Sequence, residues 1–425
     1  MRKRLVGAVL TVLLVGPAAV FAAEKIDFDQ GVDVRAVIQD VKEAVGAQPS
    51  DGGFKLKGLR EWNIMVFING KNNLESYGLK DVNEMELVGS DDKVAVTVEL
   101  GRIKGYASED GDWVGSRRYV VQKDADGNKI ASPVLQDLGK VDMGDYKHMV
   151  EFVKWAKAAA PAKRYMLIVW NHGSGWDRLT KGDFWTTGIS YDDETGNHIS
   201  TQQLELALQA IGGLDVLGMD ACLMQMAEVG YQVRKYANVI VASEETEPGD
   251  GYTYDTFLAG LTAKPYATPA QLGKIAAEAY TAHYAKLGQG ATQSAVFAGA
   301  FNDLIAKTND WTGAVLAAKE IEVVKSAGQS AQDFYYSSNK DLYHFVKLVT
   351  EGTKVPAVKA KGEDLLKFLS QQMIGTNAVT GSAYKNAYGL AVYLPSYYSA
   401  TYDKLAWSTD GNWDAFAKWF SEITK

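Results

Sequence analysis

The chain has 425 residues, 47% of them hydrophobic and 23% charged, with a formal net charge of −8. That is enough apolar material for one large or two ordinary cores, and aromatics at 11% argue against disorder. A pI near 5.3 is the wrong balance for a polyanion, so no nucleic-acid partner is expected.

Met1-Arg2-Lys3-Arg4 is a positive start, Leu5 to Val15 an apolar run, and Val20-Phe21-Ala22 a small-residue cleavage site. Residues 1–22 therefore read as a signal peptide, and the product as an exported protein, periplasmic or extracellular. The run is shorter than the ~20 residues a membrane span needs, and no later stretch is long and apolar enough either. No cysteine follows it, which excludes a lipid anchor there. Residues 23–58 are polar and read as an N-terminal extension with one helix over Val32–Val45.

One core is expected over 59–260. Glu61 to Gly70 is a continuous apolar run, as in a strand buried on both faces. Tyr77 to Leu87 reads as a helix and Lys93 to Leu100 as a second strand. Arg117–Lys123 and Ile130–Leu135 flank Asp124-Ala125-Asp126-Gly127-Asn128 and predict a hairpin on the Asp-Gly turn. The same five residues begin like a calcium loop, but Lys129 and Leu135 stand where that loop needs Gly and Glu. Met149, Phe152, Val153 and Ala156 give Asp145–Ala160 a helical period. Tyr165 to Trp170 is a third buried strand and runs into Asn171-His172-Gly173. Tyr191 to His198 is acidic and reads as a solvated loop whose carboxylates are a weaker candidate for cation binding. Ser200 caps a helix that Gly212-Gly213 ends. Leu214 to Asp220 is a fourth strand, and Cys222 is expected to open a helix running to Arg234. Asn238 to Ser243 is a fifth strand, followed by the acidic loop Glu244–Tyr254.

Residues 261–425 are expected to be mainly helical, over Thr268–Leu287, Asn302–Val324, Ala331–Thr350 and Ala360–Met373. A late strand at 388–395 is expected to return to the core, with a boundary near Gly260. Strands alternating with helices predict a doubly wound, mostly parallel sheet. In such sheets ligands bind beyond the carboxyl ends of the strands, where His172 and Cys222 both fall. Spacing alone does not make their strands neighbours.

Cys222 is the only cysteine. In an exported chain an unpaired thiol is either buried and inert or in use. A thiol nucleophile needs an imidazole and donors for a tetrahedral oxyanion. His172 supplies the first, and the amides of Gly173 and Cys222 are the candidate donors. A helix starting at Cys222 would lower the thiol pKa. His148, His198, His283 and His344 read as structural or surface residues. A nucleotide site is disfavoured, since the chain lacks a G-x-G-x-x-G or a phosphate-loop lysine motif.

Four segments carry a resemblance: W-N-I-M-V-F-I-N-G (62–70), Y-M-L-I-V-W-N-H-G-S-G-W (165–176), L-D-V-L-G-M-D-A-C-L-M (214–224) and S-E-E-T-E-P-G-D-G-Y (243–252). Weaker likenesses are D-L-Y-H-F-V (341–346) and G-L-A-V-Y-L-P (389–395). In this order and spacing the chain resembles the clostripain family of cysteine peptidases, in the caspase/gingipain/legumain-like clan. The resemblance implies a caspase-like three-layer α/β/α sandwich with a helical C-terminal region. It implies a cysteine endopeptidase that cuts protein or peptide substrates after Arg or Lys, with His172 and Cys222 as its dyad. Asp220 matches the residue that faces the S1 pocket, although it could instead cap the helix expected at Cys222. Asp250 is a second S1 candidate.

Family members often mature by self-cleavage between the His and Cys strands, where Arg178 and Lys181 are the candidate sites. No cofactor is required by the sequence. Some members need calcium, so a calcium requirement stays open. One departure is Lys71, where the family often has an acid, and it bears on substrate preference or metal dependence. The rival reading is a catalytically silent caspase-fold binding protein.

Overall fold

From Arg60 to Gly70 every residue is buried, and this strand, β1, runs through the interior of the sheet. Its side chains alternate between two cores: Met65 and Phe67 join one, Ile64, Val66 and Ile68 the other. A continuous apolar run is what a strand covered on both faces requires. The computed structural model describes residues 55–176 and 188–425.

The strands are β1, β2 (Val94–Arg102), β3 (Gly115–Val120), β4 (Gln136–Gly139), β5 (Ala162–Trp170), β6 (Ile189–Asp192), β7 (Asn197–Ile199), β8 (Leu214–Asp220), β9 (Ala237–Ala242), β10 (Ala291–Phe297), β11 (Asn339–Asp341), β12 (Ile374–Thr380) and β13 (Ala391–Tyr393). Nine form one sheet, in the order β12-β10-β9-β8-β5-β1-β2-β3-β4. The five central strands, β9 to β2, are parallel, and antiparallel strands close both edges.

Helices α1 (Glu75–Val88), α5 (Tyr254–Thr262) and α6 (Pro269–Lys286) cover one face. The other face is covered by α2 (Tyr146–Ala159), α3 (Thr201–Ile211) and α4 (Ala227–Val233). The later helices pack on that side: α7 (Phe301–Ala318), α8 (Ile321–Ser330), α9 (Leu342–Gly352), α10 (Pro356–Phe368), α11 (Ala406–Asp410) and α12 (Trp413–Ile423). This is the caspase-like three-layer α/β/α arrangement. Among the described residues no helix is long and apolar enough to cross a membrane.

Several expected elements differ. The hairpin strand after β3 is β4, not Ile130–Leu135, because the Ala131 and Ser132 amides bond the buried Glu86 carboxylate instead of a strand. Residues 331–341 are not helical: the Tyr335 amide donates to Glu245 (3.0 Å), and β11 follows. The 388–395 stretch carries β13, which pairs with β11 and joins no strand of the large sheet in a ladder; it touches that side through a bridge from Ala391 to Met226 and the Ser294 hydroxyl's bond to the Gly389 carbonyl. The large sheet is extended instead by β10 and β12. Gly260 lies inside α5. Residues 1–54, with the expected signal peptide and most of the extension, lie outside the described residues.

Candidate active site

Strands β5 and β8 are parallel neighbours, and Trp170 stands opposite Asp220 at their ends. The Asn171 amide extends that pairing by donating to the Asp220 carbonyl (3.2 Å). His172 and Cys222 each follow two residues later, so both leave the sheet from adjacent strands at the same level. Gly173 then passes against the Cys222 backbone: a Cβ there would stand 2.5 Å from the Cys222 carbonyl oxygen. Only glycine allows that approach.

Cys222 does not open a helix. Leu223 adopts a left-handed φ of 64°, its amide donates to the Glu245 carbonyl (3.1 Å), and the Gln225 amide donates to the Ser243 carbonyl (2.9 Å). Residues 221–226 are thus tied to the loop leaving β9, and α4 begins at Ala227. The thiol gains no helix terminus. It accepts the Glu247 amide instead (3.3 Å). Burial pushes its pKa up, and only that amide and its own backbone pull it down. Burial also lowers the His172 pKa, so both shifts favour the neutral thiol and imidazole.

The His172 ring is held by Asn73, in the β1–α1 loop, with Nε2 2.8 Å from Oδ1. An amide oxygen only accepts, so Nε2 carries the proton in this bond and Nδ1 is the basic nitrogen of the neutral ring. Asn73 was not picked out by the sequence, where it is one of two asparagines in a polar loop. Its neighbour Asn72 is structural: Oδ1 accepts the Leu74 amide and Nδ2 donates to the Tyr191 carbonyl.

Asp220 is 4% exposed and caps no helix. Its oxygens accept the Tyr252 amide (3.1 Å) and the Tyr254 hydroxyl (2.8 Å). Gly251 leaves room for it, since a Cβ there would stand 2.8 Å from Oδ1. Burial pushes the Asp220 pKa up to about 6. Glu247 faces it. Gln293 donates to Glu247 Oε1 (3.2 Å), and the other oxygen, Oε2, is buried. Burial and then the Asp220 charge hold Glu247 well above the usual carboxylate range, which favours its protonated form beside Asp220. Asp81, buried on α1 and bonded by Trp170 Nε1 (2.6 Å), is raised by burial and by the same charge. Among the described residues no lysine or arginine pairs with Asp220 or Glu247. Asp250 lies apart from them, half-exposed and paired with Lys80 (2.8 Å). Glu247 was visible in the S-E-E-T-E-P-G-D-G-Y loop, but nothing in the spacing sets it above Asp250.

Lys71 is fully buried, bonded to the Val141 carbonyl and paired with Glu194 (3.0 Å) and Asp192 (3.5 Å). The 191–198 stretch is thus the β6–β7 hairpin, not a free loop, and two of its acids, Asp192 and Glu194, are taken up by Lys71 and Lys140. No group of three or more metal-ligating side chains occurs among the described residues. Arg178 and Lys181 lie outside the described residues. His148 pairs with the buried Glu99, and His344 Nδ1 accepts the Gln332 amide (2.8 Å).

Comparison with known proteins decides the family. The profile described as "Clostripain family" matches residues 66–419. The chain belongs to the clostripain family of cysteine peptidases. Clostripain of Hathewaya histolytica is 28% identical to it over 222 residues, 45% of this chain and 40% of that protein. The chain thus matches less than half the length of that relative. A secreted C11 cysteine protease from Bacteroides thetaiotaomicron, solved with an irreversible peptide inhibitor, is 20% identical and superposes with a TM-score of 0.62, over 85% of this chain and 99% of that one. An inactive zymogen C11 protease from Parabacteroides distasonis is 17% identical with a TM-score of 0.62, over 84% and 99%. At these identities the two structures establish a shared fold.

Proposed function

We propose that this chain is an exported cysteine endopeptidase that cuts after Arg or Lys through Cys222 and His172. Family membership supports the peptidase chemistry, and residues 1–22 support export. The observation that carries the specificity is the buried, cation-free pair of Asp220 and Glu247 beside the thiol. A carboxylate out of water lacks a partner that a guanidinium or ammonium would supply.

Cys222 Sγ attacks the scissile carbonyl carbon, and the thiol proton passes to His172. The Gly173 and Cys222 amides stabilise the oxyanion. As the C–N bond breaks, His172 gives its proton to the leaving amine. Water then attacks the thioester with His172 as base, releasing the new carboxyl terminus and restoring the thiol. Asn73 fixes the ring so that one nitrogen serves both transfers. Asp220 receives the basic side chain before the scissile bond, with Glu247 second. Asp250 is a more distant S1 contact, through the same loop. Cleavage after Arg178 or Lys181 is the route by which the chain would cut itself, and a calcium requirement is settled by the same assay with and without chelator.

The test is hydrolysis of fluorogenic Arg- and Lys-amides under reducing conditions, beside Cys222→Ala. Activity in the wild type and none in the variant is expected. Hydrolysis that survives in Cys222→Ala would overturn the mechanism, and no hydrolysis of any basic amide would favour the binding-protein reading.

A further inference from the structure

A recess opens beside His172. It is a cleft of about 320 Å³ lined by Asn73, Tyr106, His172, Gly173, Ser174, Tyr191, Asp193 and Tyr336. Its place relative to the acid pair follows the strand order. Asp220 ends β8 and Glu247 follows β9, whereas His172, Asn73 and Tyr106 follow β5, β1 and β2. Cys222 follows β8, the strand next to β5. In the mechanism above, the side chain before the scissile bond goes to the acids. The leaving amine takes its proton from His172, so the residue after the bond must run past His172 into this cleft.

The lining states what it would hold. Tyr106 is 54% exposed, and Tyr336 is braced edge-on by Tyr335 at 4.9 Å. Tyr191 is fixed: its hydroxyl bonds Ser174 (2.8 Å) and its ring stacks on His198. Asp193 is exposed, and its amide is tied to the Lys71 carbonyl (2.9 Å). Among the described residues no lysine or arginine lines the cleft. The ammonium of Lys71 is turned away to Asp192 and Glu194. Aromatic faces and one carboxylate favour a cationic side chain with a long apolar stem.

The geometry points to a subsite for a lysine or arginine immediately after the scissile bond, walled by Tyr106 and Tyr336 and charged by Asp193, so that paired basic residues are the preferred cleavage sequence. This rests on the peptidase reading and adds a second specificity to it.

Internally quenched peptides sharing one P1 lysine, with Lys, Phe or Ala after the bond, test it. A lysine amide without a peptide leaving group is assayed alongside. The wild type should cleave the Lys-Lys peptide about tenfold faster than Lys-Ala in kcat/KM. Asp193→Asn should shrink that ratio roughly fivefold, and Tyr106→Ala should shrink it too. Both positions are exposed, so neither change removes core packing. Equal rates for Lys and Ala after the bond, a preference for Phe over Lys, or a ratio unmoved in both variants would overturn the subsite while amide hydrolysis persists. Loss of cleavage of every substrate, the amide included, would instead overturn the peptidase reading along with it.

Discussion

At Asp220 and Glu247 the molecule holds two carboxyl groups where burial allows only one charge. Exchanging Asp220 for Asn should lower kcat/KM on basic amides by about a hundredfold, since a charge-assisted bond in a dry site is lost. Glu247→Gln should cost less, because burial and the Asp220 charge already favour the neutral form of Glu247. A larger loss in the second variant than in the first would reverse their roles. The raised Asp220 pKa, about 6, also gives a pH dependence. A cation binds the ionised form, so selectivity for a basic over an apolar P1 residue should hold above pH 6 and fall as pH drops through it. Taking the ratio of kcat/KM for the two substrates cancels the titration of His172, and a ratio flat from pH 5 to 8 would refute the assignment. The sequence made Cys222, His172 and Asp220 legible, because each sits at the end of an apolar run and those runs are readable. Asn73 and Glu247 were not legible. Their roles come from which loops the sheet order brings together, and no local pattern records that.

Among the elements, the segment after β8 shows how tertiary pairing overrides a local reading. The run from Leu223 has helical composition, yet its first amides go to the loop after β9, and the helix starts late. The β6–β7 hairpin is the converse case, an acidic stretch that looked solvated and is pinned by one buried lysine. Lys71→Met should destabilise the protein by about 3 kcal/mol, because it strands the buried Asp192 carboxylate without its cation. Urea unfolding measures this. Adding Asp192→Asn should recover part of the loss, and full additivity of the two changes would show that the pair does not interact. The hairpin carries Tyr191 and Asp193, so the single variant should also raise KM for peptides more than for small amides.

For the whole molecule, the C-terminal half serves as a brace for the loops that carry the site. Trp176, just after the His172 segment, packs edge-on against Tyr393 and Tyr402. Glu228 on α4 accepts the Tyr393 amide (3.0 Å) and the Tyr402 hydroxyl (2.7 Å). Strand β10 was missed in the sequence because its buried positions include Thr292, Gln293 and Ser294, which satisfy polar partners instead of an apolar face. The tightest tie is another acid pair. Glu244, after β9, bonds the Gly389 amide (3.0 Å), and Asp341, at the start of α9, bonds the His344 and Tyr388 amides. Both are buried and share a proton, which Glu244 donates. Burial holds Glu244 well above the carboxylate range and Asp341 at about 7. Because these values exceed those of the unfolded chain, the pair stabilises the fold fully in acid, and that contribution is lost as pH rises through about 7. Asp341 is the carboxyl that ionises near 7, so Asp341→Asn removes that titration while its side-chain oxygen still accepts the His344 amide. Relative to the wild type, the variant's melting temperature should therefore be roughly 3 °C higher at pH 8 than at pH 5. Melting curves that stay parallel across this range would mean that Asp341 does not ionise there and that the brace between the two halves does not depend on its titration.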